Sequence, residues 1–177
     1  MTRRGRALAI IGAGVVMLAA MAGAFAFAGY RVNFTPSYPL GLWQIVPLDR
    51  PAGVGDRVFV CPPPGPVVDL ARERGYLPGG LCPAGTAPLI KTIVAMPGQV
   101  VRIGTQVLID GVPLENSRVL PCDGEGRLMT PWAGGEIPAG DVFLHSDFVA
   151  SYDSRYFGPI PADGILGLAR EILTLTP

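Results

Sequence analysis

Residues 87–98 read APLIKTIVAMPG. Branched and apolar side chains run from Leu89 to Met96, the composition of a β-strand, and Pro97-Gly98 closes the run with a turn signal. At its centre stands Lys91, the only lysine in the chain; every other basic side chain is arginine. Arginine keeps its proton in proteins, whereas a lysine amine gives it up when burial makes the charged form costly. A lone lysine inside an apolar strand therefore points to chemistry that uses an uncharged amine.

The same pattern of short strand and turn repeats on both sides. Upstream, GLWQIVPL carries aromatic and branched residues, and GVGDRVFV starts a second strand after a Gly-rich turn. Downstream, VVRIGTQVLIDGVPL reads as hairpins around Gly104 and the Asp110-Gly111 pair, while DVFLHSD and GILGLAREILTL read as closing strands. With 24 Gly and 19 Pro spread through these runs, long helices have no place outside the N-terminus. The expectation is a mostly β domain.

The 177 residues hold 14 basic and 14 acidic side chains, so no basic excess points to nucleic acid. Residues Ala7 to Gly29 carry no charge and almost nothing polar. As a helix they would reach ~34 Å, enough to cross a bilayer. Arg3, Arg4 and Arg6 precede them and Arg31 alone closely follows, which by the positive-inside rule leaves residues 1–6 as a cytoplasmic tip. Residues 7–29 are then the transmembrane anchor, and 30–177 an exported, periplasmic domain of an inner-membrane, single-pass protein. A cleavable signal peptide ending near AFA is the competing reading, but the apolar run exceeds the roughly 7–15 residues of such a segment.

Cys61 and Cys82 bracket a Pro/Gly-bounded insertion, residues 62–81, in which VVDLARERGYL suits one short amphipathic helix. A bridge between them would close a loop of about 20 residues and contribute ~3 kcal/mol through the unfolded chain, leaving Cys122 over. The cysteine spacings do not match a zinc site and His145 is the only histidine, so neither metal nor cofactor is expected.

A buried neutral lysine needs a hydroxyl to activate. The segment TPSYPLG offers Ser37, eight residues past the apolar run, between Pro36 and Pro39 in a stiff, non-helical turn. Thr35 and the Ser37 amide would form a small oxyanion hole. In HSDFVASYDSRYFGPIP, Asp153 and Arg155 suggest an ion pair bracing a loop, and Ser151 a hydroxyl that orients the amine.

Three blocks, TPSYPLGLW, LIKTIVAMPGQVV and SYDSRYFGPIP, stand in that order behind an apolar N-terminus. Together they resemble the type I signal peptidase family, and within it the conjugative-transfer, TraF-type branch, over nearly the whole chain. The insertion between the cysteines is also similar to that branch. The resemblance implies a Ser–Lys dyad protease, with Ser37 as nucleophile, Lys91 as general base, and Thr35 and the Ser37 amide as oxyanion donors. Ser151 falls where the family has a serine contacting the lysine, and Asp153 and Arg155 where it has a structural pair. The implied fold is two antiparallel β-sheets forming a partly open barrel, with an apolar groove for small residues at the substrate's −1 and −3 positions. The implied partners are the lipid bilayer and an exported precursor, a pilin in this branch, whose ends some members join into a circle. The chain departs from the general pattern at Ser37-Tyr38-Pro39, which is one residue tighter, at Thr92 and Gln99, and at His145-Ser146.

Each residue also has a plainer reading. Ser37 is then a turn serine, Lys91 a packed stem with its head in water, and His145 a satisfied strand-end residue. The matching alternative function is a non-catalytic, membrane-anchored subunit of an envelope secretion or pilus machine, which leaves the single lysine without a purpose.

Overall fold

The computed structural model describes residues 2–175. Helix α1 (Arg3–Phe27) opens the chain, capped by the Thr2 hydroxyl, which accepts from the Gly5 amide at 3.2 Å. None of its residues is buried, and it is long and apolar enough to cross a membrane or to serve as a signal sequence.

Among the described residues eleven strands follow: β1 (Tyr30–Asn33), β2 (Leu40–Val46), β3 (Arg57–Val60), β4 (Leu89–Ala95), β5 (Val100–Ile103), β6 (Val107–Ile109), β7 (Val112–Pro113), β8 (Gly135–Glu136), β9 (Asp141–His145), β10 (Ile160–Pro161) and β11 (Ile165–Leu175). Short helices α2 (Pro66–Glu73) and α3 (Ser154–Phe157) complete the regular structure, with one 3₁₀ turn at Ala162–Gly164. All pairings are antiparallel, in a seven-stranded sheet ordered β1-β2-β11-β3-β4-β9-β10 and a four-stranded sheet ordered β7-β6-β5-β8. The large sheet does not close on itself, so the barrel is partly open, as the family resemblance implied.

Strand β4 lies inside the large sheet, pairing Lys91 with Val58 of β3 on one edge and Thr92 with His145 of β9 on the other. Side chains alternate between faces along a strand, so Leu89, Lys91 and Ile93 share one face. Leu89 and Ile93 pack there with Val58, Val60, Val142 and Leu144. Ile90 points the other way, onto Trp43 and Phe59. Burying each such aliphatic side chain is worth roughly 1.5–3 kcal/mol, and the lysine between them is carried into the core by its register.

The Asp110-Gly111 turn joins β6 to β7 with both residues at positive φ, 52° and 83°, the left-handed pair that a two-residue hairpin requires. Cys61 and Cys82 are disulfide-bonded, with Cα atoms 5.4 Å apart, and Cys122 is free and half-buried. Within the insertion Pro66 stands in the first turn of α2, where its missing amide costs nothing, and Val68 and Ala71 bury into the main core beside Leu77. The disulfide-closed segment is therefore part of the domain wall.

Candidate active site

The turn that carries Ser37 is built by Asn33 at the end of β1. Its Oδ1 accepts from the Thr35 amide at 3.1 Å and the Thr35 hydroxyl at 2.8 Å. Its side-chain amide reaches the carbonyls of Thr35, Tyr38 and Pro39 at 2.9, 3.0 and 3.1 Å. One side chain thus holds both limbs of the turn, while Pro36 and Pro39 remove helical alternatives. From the far side the Ser146 hydroxyl donates to the Ser37 carbonyl at 2.6 Å. The next residue, Tyr38, shares a 2.7 Å hydrogen bond with the Thr92 hydroxyl, under the Arg57 guanidinium 4.8 Å from its ring centre.

Lys91 is 3 % exposed. Its Nζ donates to Ser151 Oγ at 2.5 Å, and Ser37 Oγ donates to the same oxygen at 3.3 Å. Residues 37, 91 and 151, far apart in the chain, meet at one hydroxyl. Burial pushes the lysine amine down to about 8, against the pull of Asp153, while Arg155 adds to the lowering. At that value roughly one molecule in ten holds a neutral amine at pH 7, against about one in a few thousand for a free lysine.

Asp153 and Arg155 are fully buried beneath this cluster. Arg155 Nε and Nη2 donate to the two carboxylate oxygens at 2.8 Å each, a bidentate fork. Arg155 also donates to the Ser151 carbonyl at 3.0 Å and to the Arg118 carbonyl at 2.7 Å, fixing the loop that bears Ser151. Burial raises the Asp153 carboxyl, but the His145 ring 3.5 Å away, the Arg155 fork and nearby Lys91 outweigh it and hold it at about 2. Asp153 also caps α3, accepting from the Arg155 amide, so a stretch read from sequence as a braced loop contains one helical turn.

The plainer sequence reading made His145 a satisfied strand-end residue, and the structure corrects it. His145 ends β9 and is buried, yet neither ring nitrogen makes a hydrogen bond among the described residues; Nδ1 stands 3.5 Å from Asp153 Oδ2, which accepts from Arg155 and the Ser146 amide. At the expected oxyanion site the Thr35 hydroxyl is engaged with Asn33, and the Ser37 amide has no acceptor among the described residues. Thr35 must rotate its proton away from Asn33 to serve there. Sequence reasoning missed Asn33 and noted Ser146 only as a departure from the family pattern, with no role in the site. Asn33 had a local signal, an Asn two residues before a Thr in an Asx-type turn; Ser146 touches Ser37 across 109 positions and had none.

A groove of about 350 Å³ opens beside Ser37 between β1 and β4, lined among others by Val32, Phe34, Leu89, Ile90 and Lys91. Strand β9 pairs with β4 only from Thr92 onward, so the Leu89–Lys91 flank facing the groove carries no strand among the described residues.

This chain belongs to the family described as signal peptidase, peptidase S26, which matches residues 5–174. Membership supports a peptidase-type enzyme. Among relatives, a probable conjugal transfer protein TraF from Sinorhizobium fredii is 55% identical over 177 residues, covering 99% of this chain and 94% of the other. A plasmid transfer protein TraF from Escherichia coli is 36% identical over 169 residues, covering 93% of each. Among solved structures, a signal peptidase I from Enterococcus faecalis aligns with a TM-score of 0.41 at 18% identity, covering 67% of this chain and 97% of that one.

Proposed function

We propose that this protein is a membrane-anchored serine endopeptidase that cleaves exported precursor proteins through a Ser37–Lys91 dyad. The observation that carries the reading is the Ser151 hydroxyl, bonded to Lys91 Nζ at 2.5 Å and to Ser37 Oγ at 3.3 Å. Neutral Lys91 takes the Ser37 proton, directly or through Ser151, as Oγ bonds to the scissile carbonyl carbon. The Ser37 amide and a rotated Thr35 hydroxyl stabilise the oxyanion. On collapse the carbon–nitrogen bond breaks and Lys91 passes the proton to the departing amine. Water then attacks the ester, Lys91 accepts its proton, and that proton returns to Ser37 as the acid is released. An incoming amine in place of water would form a new peptide bond and close the product into a circle.

Asp153 and Arg155 act as the brace that fixes Ser151 and need not move a proton, since lysine serves as the base. Helix α1 anchors the chain in the inner membrane with residues 1–6 in the cytoplasm, and the domain from residue 30 faces the periplasm. Relatives named as conjugal and plasmid transfer proteins support a role in such transfer, and the resemblance to the TraF-type branch suggests a pilin precursor as substrate. Its small residues at −1 and −3 would sit in the groove between β1 and β4.

Separate Ser37→Ala and Lys91→Arg variants, each coexpressed with the precursor, test the proposal by the mass of the mature product. Both are expected to leave the precursor uncut. Normal processing by the arginine variant rules out a deprotonated base, because arginine stays charged.

A further inference from the structure

A second pocket, of about 290 Å³, opens on the other side of Ser37. Both pockets include Thr35, Ser37, Tyr76 and Tyr152, but the second runs away from β4, toward Pro36, Leu120, Gly124, Met129, Phe148 and Ala150. Its wall is made by two segments that are tied together. Tyr76 of the disulfide-closed insertion donates to Asp123 at 2.5 Å, Arg74 donates to the Leu128 carbonyl at 2.8 Å, and Arg127 donates back to the Arg74 carbonyl at 3.2 Å. The Tyr76 and Tyr152 rings, 5.1 Å apart between centres, stand at the junction of the two pockets. Beyond it, Tyr76, Met129, Tyr152 and Tyr156 also line a third hollow of about 450 Å³, which reaches Trp132 and Phe157. The three hollows therefore adjoin one another through shared lining residues, with Ser37 in the lining of the first two and aromatic rings in that of the third.

We infer that the second pocket binds the part of the precursor that follows the scissile bond, and that it selects apolar side chains there. The inference rests on Ser37 being the nucleophile. A polypeptide whose scissile carbonyl sits at Ser37 must extend both ways from it, toward the two hollows that Ser37 lines. The acyl half stays attached until water arrives and needs a fixed backbone register, which the open Leu89–Lys91 flank of β4 supplies in the first groove. The amine half is released after the first step. It belongs in the pocket formed by side chains, with the exposed Phe148 and Ala150 at its rim. Asp123 lends that pocket little free charge, since its carboxylate already accepts from Tyr76, Arg127 and the Glu125 and Arg127 amides. Apolar contact is what remains for recognition.

The test measures binding of released product to the full-length protein in detergent and so does not depend on turnover. The probe is a short peptide with a free amino terminus beginning Ala-Leu-Phe, compared with the same peptide carrying Asp in place of Leu and Phe. Gly124→Leu and Ala150→Trp place bulk at the pocket; a Cβ at 124 meets no atom within 4 Å, and residue 150 is exposed, so thermal melts are expected to match the parent's. The apolar peptide is expected to bind at least tenfold more tightly than the Asp peptide, and each filled variant to lose most of that difference. A peptide ending in the acyl-side residues is expected not to compete. Equal binding by parent and filled variants, or full competition by the acyl-side peptide, overturns the inference. Loss of cleavage chemistry in the Ser37 and Lys91 tests bears on the dyad alone.

Discussion

Lys91 sets the energetics of the site. Its folded value of about 8 lies below the 10.5 of an unburied lysine, so between those values the unfolded chain binds more protons and stability rises with pH. Below about 8 the full cost applies, about 3 kcal/mol for a shift of that size. Lys91→Met is therefore expected to be inactive yet more stable than the parent at pH 7, by up to about 3 kcal/mol, with the gain shrinking as pH climbs to 10.5. Denaturant unfolding across that range checks it, and a variant that is less stable at pH 7 contradicts the assigned burial cost. The lysine was legible in the sequence because it was alone of its type in an apolar strand. The serine was legible because two prolines stiffened its turn. The contacts of Ser146, and the lack of a hydrogen bond at the His145 ring among the described residues, were not legible, since both depend on how β9 pairs with β4 and no local pattern encodes that pairing.

Among the elements, β4 shows how a strand delivers a titratable group. Period-two alternation puts Lys91 on the same face as Leu89 and Ile93, and the pairing with β3 and the core around those two residues keep it buried. Strand composition and the Pro97-Gly98 stop predicted this element, and the Asp110-Gly111 pair predicted the β6–β7 hairpin of the other sheet. Helix α3 was hidden because four residues give too short a period to read, and its start depends on the Asp153 cap. The Ser37 turn is held by Asn33, which makes five close polar contacts there. Asn33→Ala should cut kcat/KM for precursor cleavage by ten- to a hundredfold through misplacement of the hydroxyl, while leaving the pH midpoint of activity unchanged. A shift of that midpoint would instead place Asn33 in the electrostatics of Lys91. The insertion is the third element of consequence. Replacing Cys61 and Cys82 together by alanine removes a crosslink that closes 21 positions, and the expected loss is about 3 kcal/mol in chemical unfolding.

At the scale of the whole molecule, the site lies close to the point where α1 ends. Helix α1 stops at Phe27, β1 follows at Tyr30, and the end of β1 is Asn33, the residue that ties down the Ser37 turn. In our reading a nucleophile in this position meets precursors just outside the bilayer. The overall layout was readable from composition, because Gly and Pro spread through the apolar runs enforce short strands and the uncharged residues 7–29 stand apart. The order of strands in the large sheet was not, since β11 inserts between β2 and β3 through contacts made more than a hundred residues apart. The central claim is that an uncharged Lys91 amine activates Ser37, and the most direct measurement is the rate at which an ester-forming acyl donor modifies Ser37, read by intact mass at each pH. The account predicts a rate that rises to a plateau with a midpoint near 8 and is absent in Lys91→Arg. A rate that keeps climbing toward 10.5, or that survives in the arginine variant, would contradict it.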